Sequence, residues 1–281
     1  VSDQGAAAAP KAGGFMIRAG TAFILLPTAL VLVWHPPMAG GLAIAVAAAA
    51  FAAAYEYERL LKARHIVGAG RIAIATATAV AFSGSLAWRV DPGVALFGAC
   101  MAVCAVHVFR GGVSIASLSA SVFGVVYTGW FPAHFLLLHE IEGGKGLVTL
   151  LIVAVIFTDS GAYFVGKQFG KHRMAPIVSP KKTWEGAFGG FAFAIVAVAG
   201  LYYAHAATEW GGFPDWLLDR YVLAAALVSV AAQIGDLTES SLKRDAGVKD
   251  SGTLFPGHGG ALDRFDGFLF ATPVLYYIAV F

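Results

Sequence analysis

The sequence predicts an all-α, polytopic integral membrane protein with about nine transmembrane helices and a cytoplasmic N-terminus. Three observations carry this reading. Of 281 residues, 58% are hydrophobic and only 13% are charged, against about 25% charged in an ordinary soluble domain. The apolar residues come in long runs, too much surface to enclose in a water-soluble globule. Lys and Arg fall almost wholly in alternate connections between those runs. The same composition excludes disorder, and a net charge of +2 gives no ground for a nucleic-acid partner. Cys100 and Cys104 share one apolar run and make no disulfide framework.

A bilayer-spanning helix takes roughly 20 mostly apolar residues. Residues 1–14, rich in Ala and Gly, read as a flexible tail. Spans follow at 15–34, 39–56, 71–89, 93–109 and 115–138, within an N-terminal scaffold (15–145) of plain Ala, Val, Leu and Phe helices. Spans at 146–166, 185–205, 221–241 and 266–281 form a C-terminal catalytic region (146–281), where polar residues enter the helices and the cytoplasmic loops lengthen to 167–184 and 242–265. This division leaves Arg89, Lys145 and Arg220 on one side and the other sixteen of the 19 basic residues on the opposite side. The positive-inside rule makes the basic side cytoplasmic. The first apolar run is long enough to span, unlike a cleaved signal peptide, and the lack of a transit-like leader points to a bacterial inner membrane. Small-residue faces such as Gly186-x2-Gly189-Gly190 allow close helix packing, within the chain or between copies in a homodimer.

Charge inside the later spans marks where chemistry belongs. Asp159 lies in IFTDSGAYFVGK, and Asp236 and Glu239 lie in AAQIGDLTESSLKR, all near cytoplasmic ends. A carboxylate at mid-span costs about 2.5–3.5 kcal/mol, so each needs a function, or water or a lysine within reach. Residues 240–266, SSLKRDAGVKDSGTLFPGHGGALDRFD, then concentrate Lys243, Arg244, Lys249 and Arg264 with Asp245, Asp250, Asp263 and Asp266. The run Pro256-Gly257-His258-Gly259-Gly260 is a tight turn whose amides can approach an anion closely. Asp263 and Asp266 share one face if already helical. The other long loop, 166–186, supplies Lys167, Lys171, Arg173, Lys181 and Lys182. There Ser179-Pro180 and Thr183 are candidate caps for a helix beginning near Trp184, with Glu185 in its first turn.

Other patterns fail. Gly161–Lys167 fits G-x-x-x-x-G-K, but Gln168 replaces the Ser/Thr and no strand precedes it. Cys100, Cys104 and His107 share a helix face without a fourth ligand, which is core packing rather than a metal site. His134 and His139 flank the outer end of a span as interfacial residues. What remains, carboxylates with many Lys and Arg and a glycine turn at one membrane face, suits a polyphosphate carried with a divalent metal. Because the site opens at the lipid–water boundary, one substrate is expected to be a lipid phosphate and the other a soluble nucleotide.

The segment Ser240-x-Leu242-Lys243-Arg244-x4-Lys249-Asp250-x-Gly252-x2-Phe255-Pro256-x-His258-Gly259-Gly260-x2-Asp263-Arg264-Phe265-Asp266 resembles the defining motif of phosphatidate cytidylyltransferases, or CDP-diacylglycerol synthases. Gly235-Asp236-x2-Glu239-Ser240 and Ser179-Pro180-Lys181-Lys182-Thr183-Trp184-Glu185-Gly186 are similar to further family motifs. Ala261 departs from the larger aliphatic residue usual there. The resemblance covers about residues 157–266. It implies transfer of a cytidylyl group from CTP to phosphatidic acid, giving CDP-diacylglycerol and pyrophosphate for phospholipid synthesis, with Mg2+ required and a second metal ion open. It further implies Asp236 and Asp263 as the main metal ligands, with Asp159 a third. Lys243, Arg244, Lys249 and Arg264 would grip the triphosphate or lipid phosphate, and Lys181 and Lys182 would complete that grip. His258, Gly259 and Gly260 would shape the turn, and Asp250 and Asp266 would ligate metal or orient the basic residues. Two alternatives stay open: a CTP-dependent polyprenol- or phytol-type lipid kinase, and an anion transporter, which the one-sided charge disfavours.

Overall fold

In the computed structural model, residues 27–28, 30–35, 39–85, 90–208, 210–254 and 259–281 are described. The proposed tail, most of the 15–34 span and His258 lie outside them. The chain is helical, with α1 (Ala39–Ala63), α2 (Arg71–Ser83), α3 (Pro92–Phe109), α4 (Ile115–Val125), a π-helical turn (Val126–Trp130), α5 (Phe131–Glu140), α6 (Gly144–Phe169), α7 (Trp184–Thr208), α8 (Leu218–Asp245) and α9 (Leu262–Val280). Between α6 and α7 stands a hairpin of β1 (Arg173–Ala175) and β2 (Ser179–Thr183). Six helical stretches among the described residues are long and apolar enough to cross a membrane: 40–63, 92–109, 115–140, 144–169, 184–208 and 218–245. The chain is therefore an integral membrane protein. The 71–89 span is seen as a shorter apolar helix, and the 266–281 span forms most of α9, whose first turns carry Asp263, Arg264 and Asp266.

Local sequence sets several boundaries. Asp91 caps α3, its Oδ1 accepting from the Gly93 and Val94 amides, with Pro92 at the first helical position. Ser114 caps α4 by accepting from the Ser117 amide. Thr183 caps α7, its Oγ1 accepting from the Gly186 amide at 3.2 Å. Ser179 and Pro180, the other candidate caps, lie in β2 instead. The hairpin itself was not legible as strands, because only three residues pair on one side and the register shifts between Arg173 and Ala175.

Three buried clusters hold the bundle. The largest joins α6, α8 and α9 through Leu147, Leu151, Val155, Ala225, Val228, Ala271 and Leu275. A second joins α1 to the π-turn and the start of α9 through Tyr57, Leu61, Tyr127 and Leu262. A third packs α2 against α3 and α4. α6 and α7 pack closely against one another. The glycines foreseen as a packing face serve this intrachain contact: a Cβ on Gly186 or Gly190 would meet the carbonyl oxygens of Ala162 and Thr158 at 2.8 and 2.5 Å. Membrane helices gain adhesion from such close backbone approach. Gly190→Val is expected to force α7 off α6 and destabilise the fold by about 1–3 kcal/mol; thermal unfolding in detergent checks this, and an unchanged melting temperature would refute the packing assignment.

The two ends of the bundle differ. One gathers aromatic rings, with Trp34 stacked on Trp210 at 4.7 Å and the Arg220 guanidinium 4.5 Å from the Trp216 ring. Such rings favour the membrane boundary. His134, expected at an interface, is instead buried, with Nδ1 2.8 Å from the Trp130 carbonyl and Nε2 3.3 Å from the Tyr277 hydroxyl. The opposite end collects the C-termini of α1, α6 and α8, the hairpin and the start of α9. There Arg64 pairs with Asp245 at 3.1 Å, and Arg244 Nε donates to the Val178 carbonyl at 3.3 Å.

Candidate active site

At this charged end a cavity of about 490 Å3 opens between α6, the hairpin, α7 and α8. Asp159 and Lys167 line it from α6, Arg173, Lys181 and Lys182 from the hairpin, and Gln233 and Asp236 from α8. The hairpin is held at its base, where Glu185 accepts from the Lys171 and His172 amides and sits 2.6 Å from His172 Nδ1. Lys182 Nζ lies 2.5 Å from Asp236 Oδ2, both side chains about one-third exposed. Asp266, one turn into α9, is within electrostatic reach of Asp159, Asp236 and Lys182. Four cations and two carboxylates thus share one concave wall, which matches an anionic ligand that brings a cation of its own.

A second, drier cluster adjoins the first. Lys243 Nζ stands 2.6 Å from Glu239 Oε2 and 2.7 Å from Asp263 Oδ1. Asp263 Oδ2 accepts from the Ser251 amide, the Ser251 hydroxyl and the Gly260 amide, each at 2.8 Å. Glu239 is 1% exposed, and Lys243 is its only close polar partner among the described residues. Gly259 has φ of +82°, a conformation that side chains rarely adopt, and a Cβ there would press on the Asp263 carboxylate. Tyr127, projected by the π-turn, is fully buried and in electrostatic reach of Glu239, Asp236 and Asp266. π-turns within helices recur at functional sites.

The candidate residues therefore separate. Asp159, Asp236, Lys181 and Lys182 come together at the cavity, while Lys243, Asp263 and Gly260 form the adjoining cluster. Arg264 is exposed but within electrostatic reach of Asp159. Arg244 holds the hairpin tip. Lys249 and Asp250 are exposed in the loop after α8 and line neither group. Ser251 and Glu56 are among the participants that the sequence reading missed. Ser251 gave no signal, being one serine in a polar loop. Glu56 belongs to a helix read as plain scaffold, yet it is 4% exposed and reaches the α9 start, as Glu58, also 4% exposed, reaches toward Gly68. Carboxylates that deep in an Ala-rich helix were themselves the available signal.

For a divalent cation the donor chemistry is suitable, since carboxylate oxygens suit Mg2+ and two of them suffice when phosphate oxygens complete the shell. Among the described residues no three His, Cys, Asp or Glu side chains are gathered as a ready metal cage.

Fold and site define a class: a polytopic helical membrane protein with a cavity and an adjoining cluster of paired lysines and carboxylates at one end of the bundle. Residues 16–281 match the family model described as the cytidylyltransferase family. A phosphatidate cytidylyltransferase of Synechocystis is 33% identical over 255 residues, covering 80% of this chain and 83% of the relative. Those of Mycobacterium bovis and Staphylococcus aureus are 41% and 39% identical over 155 and 163 residues, stretches that cover 48% and 59% of those relatives. The chain belongs to the cytidylyltransferase family.

Proposed function

We propose that the chain transfers the cytidylyl group of CTP to phosphatidic acid, yielding CDP-diacylglycerol and pyrophosphate, as the names of its relatives indicate for them. The observation that carries this reading is the Lys182–Asp236 pair in a cavity lined by three further cations. A phosphatidate oxygen, already ionised at neutral pH, attacks the α-phosphorus of CTP and the bond to pyrophosphate breaks. No protein nucleophile is needed, so the residues contribute position and charge. Mg2+ would be held by Asp236, with Asp159 beside it in the cavity, and by Asp263 from the adjoining cluster, and would supply neutralisation of phosphate charge. Both main ligands are already paired with a lysine. With the cation bound, Asp236 and Asp263 would serve it in place of those lysines, leaving Lys182 and Lys243 available to phosphate oxygens. Lys181, Arg173 and Arg264 complete the grip. Nine spans, a cytoplasmic N-terminus and a site facing the cytoplasm of a bacterial inner membrane accord with the lopsided distribution of Lys and Arg.

The test is pyrophosphate release from CTP by detergent-solubilised protein, with and without phosphatidate and Mg2+. Release that needs both supports the reading. CDP as the nucleotide product would replace it with a lipid kinase. Asp236→Asn is expected to lower Mg2+-dependent turnover by at least about a hundredfold, because it uncouples Lys182 and removes a charge aimed at the reacting group. Wild-type turnover by this variant would refute the role.

A further inference from the structure

Glu56 lies near the end of α1, in the half of the chain that otherwise looks like inert scaffold, and its carboxylate is buried against the loop that leads into α9. Oε1 accepts from the Ala261 amide at 2.9 Å. Oε2 accepts from the Leu262 amide at 3.0 Å and lies 2.8 Å from the Ser251 hydroxyl. One side chain therefore serves free amides at the start of α9, as a cap does, but from a helix about 200 positions away. The loop is shaped around it: a Cβ on Gly252 or Gly260 would collide with the Glu56 carboxylate. The same loop also converges on Asp263, because the Ser251 hydroxyl is also 2.8 Å from Asp263 Oδ2 and the Gly260 amide donates to that atom. The hydroxyl has one proton for two carboxylates, so Ser251 is a shared link and its position is fixed from both sides.

From this geometry we infer that Glu56 is a positioning residue for the transfer reaction, acting by clamping Ser251 and the start of α9 so that Asp263 is presented in one orientation. The inference rests on the cytidylyl-transfer reading for its catalytic consequence, but the clamp itself is measurable without substrate.

Glu56→Gln tests it. In either amide orientation the new NH2 group faces a backbone N–H that formerly donated, so one of the clamp's two backbone bonds is lost at constant volume. Turnover is expected to fall about 10- to 100-fold, as for a small misplacement of a reacting group, while the KM for CTP moves less than about threefold. Exchange of the Ser251, Gly260, Ala261 and Leu262 amides, followed by mass spectrometry on the same detergent-solubilised chain, is expected to accelerate by at least about tenfold. Glu58→Gln is the control, because Glu58 is equally buried on the same helix but faces Gly68; its kcat and loop exchange should stay at wild-type values even if its melting temperature falls. The inference is overturned if Glu56→Gln keeps wild-type kcat and loop exchange, or if both variants lose turnover only in proportion to their folded fraction. If the wild-type chain makes no CDP-diacylglycerol, the function reading fails, and the exchange measurement still decides whether Glu56 clamps the loop.

Discussion

Lys243→Met is expected to unfold or inactivate the protein more severely than any other single change at the site. Lys243 is 13% exposed and holds two carboxylates that are more buried than itself, Glu239 at 1% and Asp263 at 8%. Methionine preserves much of the volume and removes the only cation among the close polar partners of that pair in the described residues. Stripping one partner from a buried ion pair costs about 3–5 kcal/mol, which in a chain of this size corresponds to a fall in melting temperature of roughly 10 °C. Lys243→Met combined with Glu239→Gln removes one charge of each sign and is expected to recover most of that loss. Turnover should not recover, because the Lys243 ammonium proposed to meet phosphate is still missing. Thermal unfolding and pyrophosphate release, measured on the single and double variants, separate the two roles. A single variant with wild-type melting and turnover would falsify both.

Asp263→Asn is expected to behave in the opposite way, with catalysis lost and the fold largely kept. Its carboxylate receives four donors, Lys243 at one oxygen and Ser251 and Gly260 at the other. An asparagine oriented to satisfy Ser251 and Gly260 turns its NH2 toward the Lys243 ammonium; flipped, it sets NH2 against two backbone amides. Either arrangement costs about 1–3 kcal/mol, the range for one unsatisfied buried group. Lys243 still balances Glu239, so the charge left behind is neutral. Turnover, however, should drop by at least about a hundredfold, since a charge aimed at the phosphate–metal complex is gone. Near-wild-type turnover in a folded Asp263→Asn variant would show that Asp263 only shapes the loop.

The helices were legible in the sequence because lipid imposes a length and a composition that any spanning segment must meet. The predicted span at 146–166 appears as Gly144–Phe169, and that at 221–241 as Leu218–Asp245, each extended at its ends by polar residues that an apolar criterion leaves out. The dense loop after α8 also announced itself, since Lys243, Asp263 and Gly260 belong to a run of mixed charge and glycine that a topological loop does not need. The β-hairpin left no comparable trace. Its pairing covers a handful of residues, and its shape depends on Glu185 and His172 closing its base rather than on alternation along the strands.

By itself, the amino-acid sequence determined that the chain lives in a bilayer, where its main helices run, and which segments carry the family's motif, because each of these is written in local composition and spacing. Tertiary structure alone decided which charges meet. It set Lys182 on Asp236 and Lys243 between Glu239 and Asp263, and it brought Glu56 across 195 residues to Ser251. The reason is physical: helix period and lipid solubility act on neighbours in sequence, whereas ion pairing and capping depend on distances in space that only the packed bundle fixes.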